Sequence, residues 1–290
     1  KKNYIQYEFI HKILDEDGFP IVEYSNDAIE CEYIGGSLNY DIAVLKITNS
    51  EILKNSDATQ VSVADGFVVG ETAIAIGNPE AQGISVTEGI ISVESEYMTM
   101  TAADDTTIVT FRTIRIDTAI NSGNSGGGLF NEKGELIGIV NAKVVSNSIE
   151  NIAYAIPKTI VINVANNLIK NYEQNDTNKV YKLTIGLTLN VDSSTALYNK
   201  NTLTTSVLET VSVKIVEENS LAKSLNFIEG DIIKSIKIND DEYNISRMYE
   251  AIDLTLTINV GDSVTYTILR DNVLTEISFV ANAENFSYVN

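Results

Sequence analysis

Asp117-Thr-Ala-Ile-Asn-Ser-Gly-Asn-Ser-Gly-Gly-Gly-Leu-Phe-Asn131 runs directly into Glu132-Lys-Gly-Glu-Leu-Ile-Gly-Ile-Val140. A β-branched run over 107–116 leads into this stretch. Leu129-Phe130 begins an apolar strand on the far side, and a second strand returns over 135–145. Between them, Gly123-Asn124-Ser125-Gly126-Gly127 is rich in residues that let a chain reverse sharply, which is also ordinary hairpin-turn chemistry. The segment has a more specific chemical reading. Acyl transfer by a serine needs an exposed hydroxyl on a tight turn and uncovered backbone N–H groups facing the developing oxyanion. Glycines around Ser125 supply both, because they add no side chain over the N–H groups of Gly123 and Ser125.

The first 157 residues read as short strands separated by turns. Alternating or β-branched runs cover 42–47, 73–76, 90–93, 107–116 and 135–145, with clusters such as Gly77-Asn78-Pro79 and Asn131-Glu132-Lys133-Gly134 between them. That pattern predicts an all-β barrel or sandwich. It changes at Pro157, after which Ile160, Val161, Val164, Ala165, Leu168 and Ile169 recur at helical spacing and predict an amphipathic helix over 158–172. A polar stretch over 173–180 reads as a linker. Strands resume at Tyr181, with short helices expected near 220–225 and 246–254. The expected domains are 1–172, a linker over 173–180, and 181–290.

Composition narrows the chemistry. With 40 acidic and 20 basic residues the net charge is −20, which repels phosphate backbones and argues against nucleic acid as a partner. No apolar run is long enough to span a bilayer. The single cysteine, Cys31, supports neither a disulfide framework nor a Cys-rich zinc site. It reads as a small half-buried strand residue, and neither metal nor cofactor is expected. The chain has one histidine, His11. A mechanism that needs a histidine base must use it, do without, or draw on residues outside this sequence.

Four segments, in order, carry a family resemblance. The stretch around Ser125 resembles the nucleophile region of trypsin-fold serine proteases, most closely the HtrA/Deg family, with Ser122 and Gly128 at two positions where that family has proline. Tyr40-Asp41-Ile-Ala-Val-Leu-Lys-Ile47 resembles the strand whose aspartate orients the catalytic histidine. Ala73-Ile-Ala-Ile-Gly-Asn-Pro79 with Val86-Thr-Glu-Gly-Ile-Ile-Ser92 resembles a further pair of family segments. Ala153-Tyr-Ala-Ile-Pro157 resembles the segment that closes the protease domain.

The resemblance implies a mainly β fold. It comprises a trypsin-like double β-barrel, with the amino-terminal barrel incomplete in this sequence, followed by a PDZ-like α+β domain. It implies Ser125 as nucleophile, Asp41 as orienter of the base, and an oxyanion hole at Gly123, Asn124 and Ser125. Ile139, Val140 and Asn141 are expected at the wall of the primary pocket, which without an acid favours small or aliphatic side chains. Asn124, where many trypsin-like enzymes have aspartate, implies no activation by a freed amino terminus. Substrates are expected to be unfolded proteins or peptides, and the assembly a homotrimer. The location is expected to be extracytoplasmic, with an amino-terminal anchor not included in this sequence.

His11 lies 30 residues before Asp41, the spacing the family resemblance implies for the base. Its neighbours, Tyr7-Glu8-Phe9-Ile10-His11-Lys12-Ile13, alternate like a strand and lack the turn expected there. Two readings follow. Either His11 is the base in a divergent setting, or the true histidine belongs to residues missing between about 5 and 6.

In the second half, Ser220-Leu-Ala-Lys-Ser-Leu-Asn-Phe-Ile-Glu-Gly-Asp231 and Val260-Gly-Asp-Ser-Val-Thr-Tyr-Thr-Ile-Leu-Arg-Asp271 resemble the PDZ domains of HtrA proteins. The resemblance implies that Thr184, Ile185, Gly186 and Leu187 form a loop that holds a peptide carboxylate. Met248, Ile252 and Leu254 would line the groove. Residues 190–208 are expected to be an insertion ahead of the next strand.

Overall fold

The computed structural model describes residues 3–6, 9–14, 20–25, 28–48, 50–54, 58–78, 84–102, 104–143, 152–175, 177–201 and 204–289, with side chains from Ile29 onward except at 52, 142, 143 and 175. The chain forms two compact units. One comprises residues 1–161 and 172–178, the other 162–171 and 179–290.

In the first unit, β1 (Asn3–Gln6), β4 (Ala28–Ser37) and β5 (Ile42–Ile47) form an antiparallel sheet in the order β1-β4-β5. Strands β2 (Phe9–Leu14) and β3 (Pro20–Ser25) pair with each other. A single helical turn, α1 (Glu51–Lys54), precedes the barrel strands. These are β6 (Thr72–Gly77), β7 (Ser85–Thr101), β8 (Ile108–Ile116), β9 (Gly128–Phe130), β10 (Leu136–Lys143) and β11 (Ala153–Pro157). They close in the order β10-β11-β8-β7-β6-β9. Alternation explains the closure. Along β6, Ala73 and Ala75 point inward and are fully buried beside Leu129, Ile91 and Ile114, while Ile74 and Ile76 point outward. Small inward residues let opposite walls of a narrow barrel meet without voids.

Helix α2 (Lys158–Asn175) runs past the residues over which the periodicity predicts it, and its 162–171 portion belongs to the second unit. There Asn167 Nδ2 donates to Tyr181 O at 2.8 Å and Leu256 O at 3.1 Å, and its Oδ1 accepts from Tyr181 N at 2.8 Å. Strands β12 (Val180–Leu183) and β19 (Phe286–Val289) pair with one another. The main sheet is antiparallel, in the order β13-β14-β15-β17-β18, with β16 attached to β15. Its strands are β13 (Leu187–Asn199), β14 (Thr204–Val216), β15 (Ile232–Ile238), β16 (Asp241–Asn244), β17 (Ser263–Arg270) and β18 (Val273–Val280). The short helices are α3 (Leu221–Ser224) and α4 (Met248–Leu254). Phe227 and Tyr266 meet edge to face at 5.5 Å within a core that includes Val213, Ile233, Ile236 and Ile268.

One expectation fails here. Residues 190–208 do not precede the next strand but form the arms of a hairpin; β13 and β14 pair through them, past a bulge between Val191 and Ser193, to Asn199↔Thr204. The arms are rich in Ser and Thr and exposed on both faces, so the buried-face alternation that marks a strand in sequence is missing.

Candidate active site

The turn bearing Ser125 is clamped to the barrel wall. Gly126 N donates to Val140 O at 2.8 Å, Val140 N donates to Gly127 O at 2.8 Å, and Gly127 N closes a tight turn onto Asn124 O at 2.9 Å. Gly123 and Gly126 take φ values of 99° and 84°, a left-handed backbone that favours glycine. Asn124 is buried and packs on Gly77, where an added Cβ would lie 2.6 Å from Asn124 Oδ1 and 2.8 Å from its Cα. The glycine of Ala73-Ile-Ala-Ile-Gly77 is therefore the seat of the loop, 47 residues away in sequence. Above it Ser125 is exposed. Its hydroxyl and the N–H groups of Gly123 and Ser125 bond to no described residue. A nucleophile beside two unengaged donors is the arrangement that oxyanion stabilisation requires.

Asp41 sits in the turn between β4 and β5 at φ 51°, with its N–H on Leu38 O at 3.3 Å. Its Oδ2 accepts from Asn141 Nδ2 at 2.6 Å, a short charge-assisted bond. Asn141 is buried and immediately follows Val140, the residue that clamps the serine turn. The β10–β11 register shifts between Val140 and Ala142, and this bulge at Asn141 re-aims a side chain that a regular strand would direct elsewhere. The carboxylate and the serine turn are thus tied to adjacent residues of one strand. Asp41 Oδ1 accepts from no described residue.

Of the residues expected at the pocket wall, Ile139 is half-buried and Val140 lies in the barrel core, while Asn141 holds Asp41. Sequence reasoning missed that last role. The signal available was a lone amide ending the apolar run from Leu136 to Val140. The backbone of His11 lies in β2, opposite Glu23 of β3, and its side chain lies outside the described residues.

The second unit carries another glycine loop. Gly186 has φ 81°, and a Cβ there would stand 2.3 Å from Ser220 Cβ. Gly186 O accepts from Glu217 N at 2.9 Å, Ile185 O from Ala222 N at 2.8 Å, and Thr184 N donates to Asn285 O at 2.7 Å. The N–H groups of Ile185 and Gly186 donate to no described residue. Leu187 opens β13, the outermost strand of its sheet, and α4 packs beside that strand. Met248, Ile252 and Leu254 are half-buried on α4. The start of α4 is anchored by Glu209 of β14, which accepts from Arg247 Nε at 3.0 Å and Met248 N at 2.8 Å.

A trypsin-like peptidase domain family matches residues 14–139. The chain is 29% identical over 271 residues to a serine protease Do-like HtrA of Lactococcus lactis subsp. lactis, covering 90% of this chain and 63% of that protein. It is 30% identical over 270 residues to a serine protease Do-like HtrB of Bacillus subtilis, covering 90% of this chain and 55% of that protein. The chain thus spans under two thirds of the length of these relatives. Among solved structures, HtrA-type protease AlgW with decapeptide matches with a TM-score of 0.52 and 25% identity, covering 92% of this chain and 73% of that one.

Proposed function

We propose that the chain is an HtrA-type trypsin-like serine protease, an ATP-independent endopeptidase acting on unfolded or misfolded proteins outside the cytoplasm, a reading supported by its likeness to the trypsin-like peptidase domain and to HtrA and HtrB proteases. The observation that carries this reading is the joint anchoring of the Ser125 turn and Asp41 on Val140 and Asn141, with the N–H groups of Gly123 and Ser125 donating to no described residue.

In this reading Ser125 Oγ attacks the scissile carbonyl and its proton passes to His11, which returns it to the leaving amine. Asp41, pinned through Oδ2, offers Oδ1 to fix the imidazole tautomer and stabilise its charged form. The Gly123 and Ser125 N–H groups receive the oxyanion, and water then releases the acyl group from the serine. Ile139 contributes to the primary pocket. The second unit acts as a PDZ-like module. Its Ile185 and Gly186 N–H groups hold a peptide carboxylate while the peptide pairs with β13 beside α4. Assembly as a homotrimer and attachment to the cell envelope through an amino-terminal anchor are part of the same proposal, supported by the likeness to HtrA proteases.

The test is digestion of unfolded casein together with covalent labelling by a fluorophosphonate. The parent chain should cleave and label, and Ser125→Ala should do neither. His11→Ala should lose both if His11 is the base. Equal casein cleavage by the parent and Ser125→Ala would end the protease reading.

A further inference from the structure

The β13 edge does not stop where α4 does. Glu209, which anchors the amino end of α4, pairs with Ser194, and beyond that pair the hairpin continues to Asn199↔Thr204. Bulges interrupt the ladder between Thr188 and Leu189 and between Val191 and Ser193. From Ser193 to Asn199 the register is unbroken. Over those residues β13 has β14 on one side and no described strand on the other. The segment, Ser-Ser-Thr-Ala-Leu-Tyr-Asn, contains no charge, proline or glycine, in a chain whose net charge is −20. It lacks the side chains that natural edges use to discourage pairing.

Both faces of this extension carry exposed apolar side chains among the described residues. Leu197 and Leu208 are exposed on one face and Tyr198 on the other. A two-stranded ribbon alone is marginal in water, and a third strand makes such a unit stable. The free edge is also continuous with the Ile185-Gly186 loop at the start of β13. A chain that ends at that loop and runs antiparallel to β13 reaches the extension with the residues upstream of its terminus.

We infer that the outer hairpin is a second, sequence-tolerant binding site for extended polypeptide. It takes as a third strand the segment upstream of a carboxyl terminus held at the 184–187 loop. This rests on the peptide-binding reading proposed above and adds the class of ligand. A chain with an unfolded stretch of about ten residues before its terminus is preferred over a short tail, because each strand residue spans about 3.3 Å.

The test uses the full chain carrying Ser125→Ala and two synthetic peptides with one common apolar carboxyl-terminal sequence, about four and about twelve residues long. The longer peptide should bind about tenfold more tightly or better, since several main-chain hydrogen bonds are added. A twelve-residue peptide with alternate upstream amides N-methylated should bind no better than the short one. A chain in which Asn-Gly replaces residues 195–208, a two-residue hairpin turn that spares Glu209, should bind long and short peptides equally. Equal binding of both peptides to the intact hairpin overturns the inference and leaves the groove reading standing. Binding of neither overturns both. Concentration-dependent dimerisation that is lost on trimming, with no effect of peptide length, overturns it in favour of a second copy of this chain on the edge.

Discussion

The two units of this protein solve the problem of strand edges in opposite ways. The first closes six of its strands into a barrel, so the backbone groups of those strands are spent on one another and only loops and side chains are offered at the rim. The second leaves its sheet open at β13 and offers the backbone itself. Both use a glycine turn in which two N–H groups donate to no described residue, those of Gly123 and Ser125 in one and of Ile185 and Gly186 in the other. Only the first crowns that turn with an exposed serine, Ser125. In the reading proposed above, the difference separates covalent from reversible use of the same donor geometry.

Removing the nucleophile should separate the units most sharply. Ser125→Ala is expected to lower kcat/KM for an unfolded substrate by about 10⁴-fold or more. Peptide affinity at the open sheet, read by fluorescence anisotropy, should not change. Loss of both would mean that the two glycine turns are not independent.

Next comes the support of the open sheet. Asp231 is buried and receives Arg270 Nε at 2.7 Å and Nη2 at 2.6 Å, with Ile228 N at 2.9 Å. Arg270→Ala leaves that carboxylate without its cation, a change that costs about 3–5 kcal/mol in buried pairs. Urea denaturation should show the second unit unfolding earlier, with fluorophosphonate labelling at Ser125 retained at denaturant concentrations where any peptide binding is gone.

A smaller effect is expected at the barrel rim. Asn141→Ala removes one charge-assisted hydrogen bond from Asp41, worth about 2 kcal/mol. Turnover should fall about 30-fold with KM little changed, the mark of a residue that positions the catalytic groups. A rise in KM at constant kcat would return Asn141 to the pocket wall. The smallest change is Gly186→Ala, which places a side chain in a left-handed conformation costing about 1–2 kcal/mol and against Ser220. Peptide affinity should fall about tenfold while casein cleavage of short, unstructured segments persists.

Much of the fold can be read in sequence where one face of a strand is buried. The alternation over 42–47 and the runs around 73–76 and 108–116 become β5, β6 and β8 because inward positions must be apolar. The outer β13–β14 hairpin escapes that logic, since both of its faces meet water. In the site, the serine turn is legible because its glycines are contiguous. The Asn141–Asp41 bond is not, because it joins residues 100 apart through a bulge.

The amino-acid sequence by itself determined the kind of chemistry: a serine on a glycine turn, an aspartate at a strand entry and a second glycine loop before a strand. Local turn geometry and strand alternation follow from the residues within a few positions of each other. Only the tertiary structure decided which distant residue serves each of these. The register of β10 sets Asn141 on Asp41, Gly77 receives Asn124, and β13 becomes an edge. Those pairings depend on how whole strands are shifted and ordered, and a shift of one residue in the register of β10 would turn the Asn141 side chain to the opposite face.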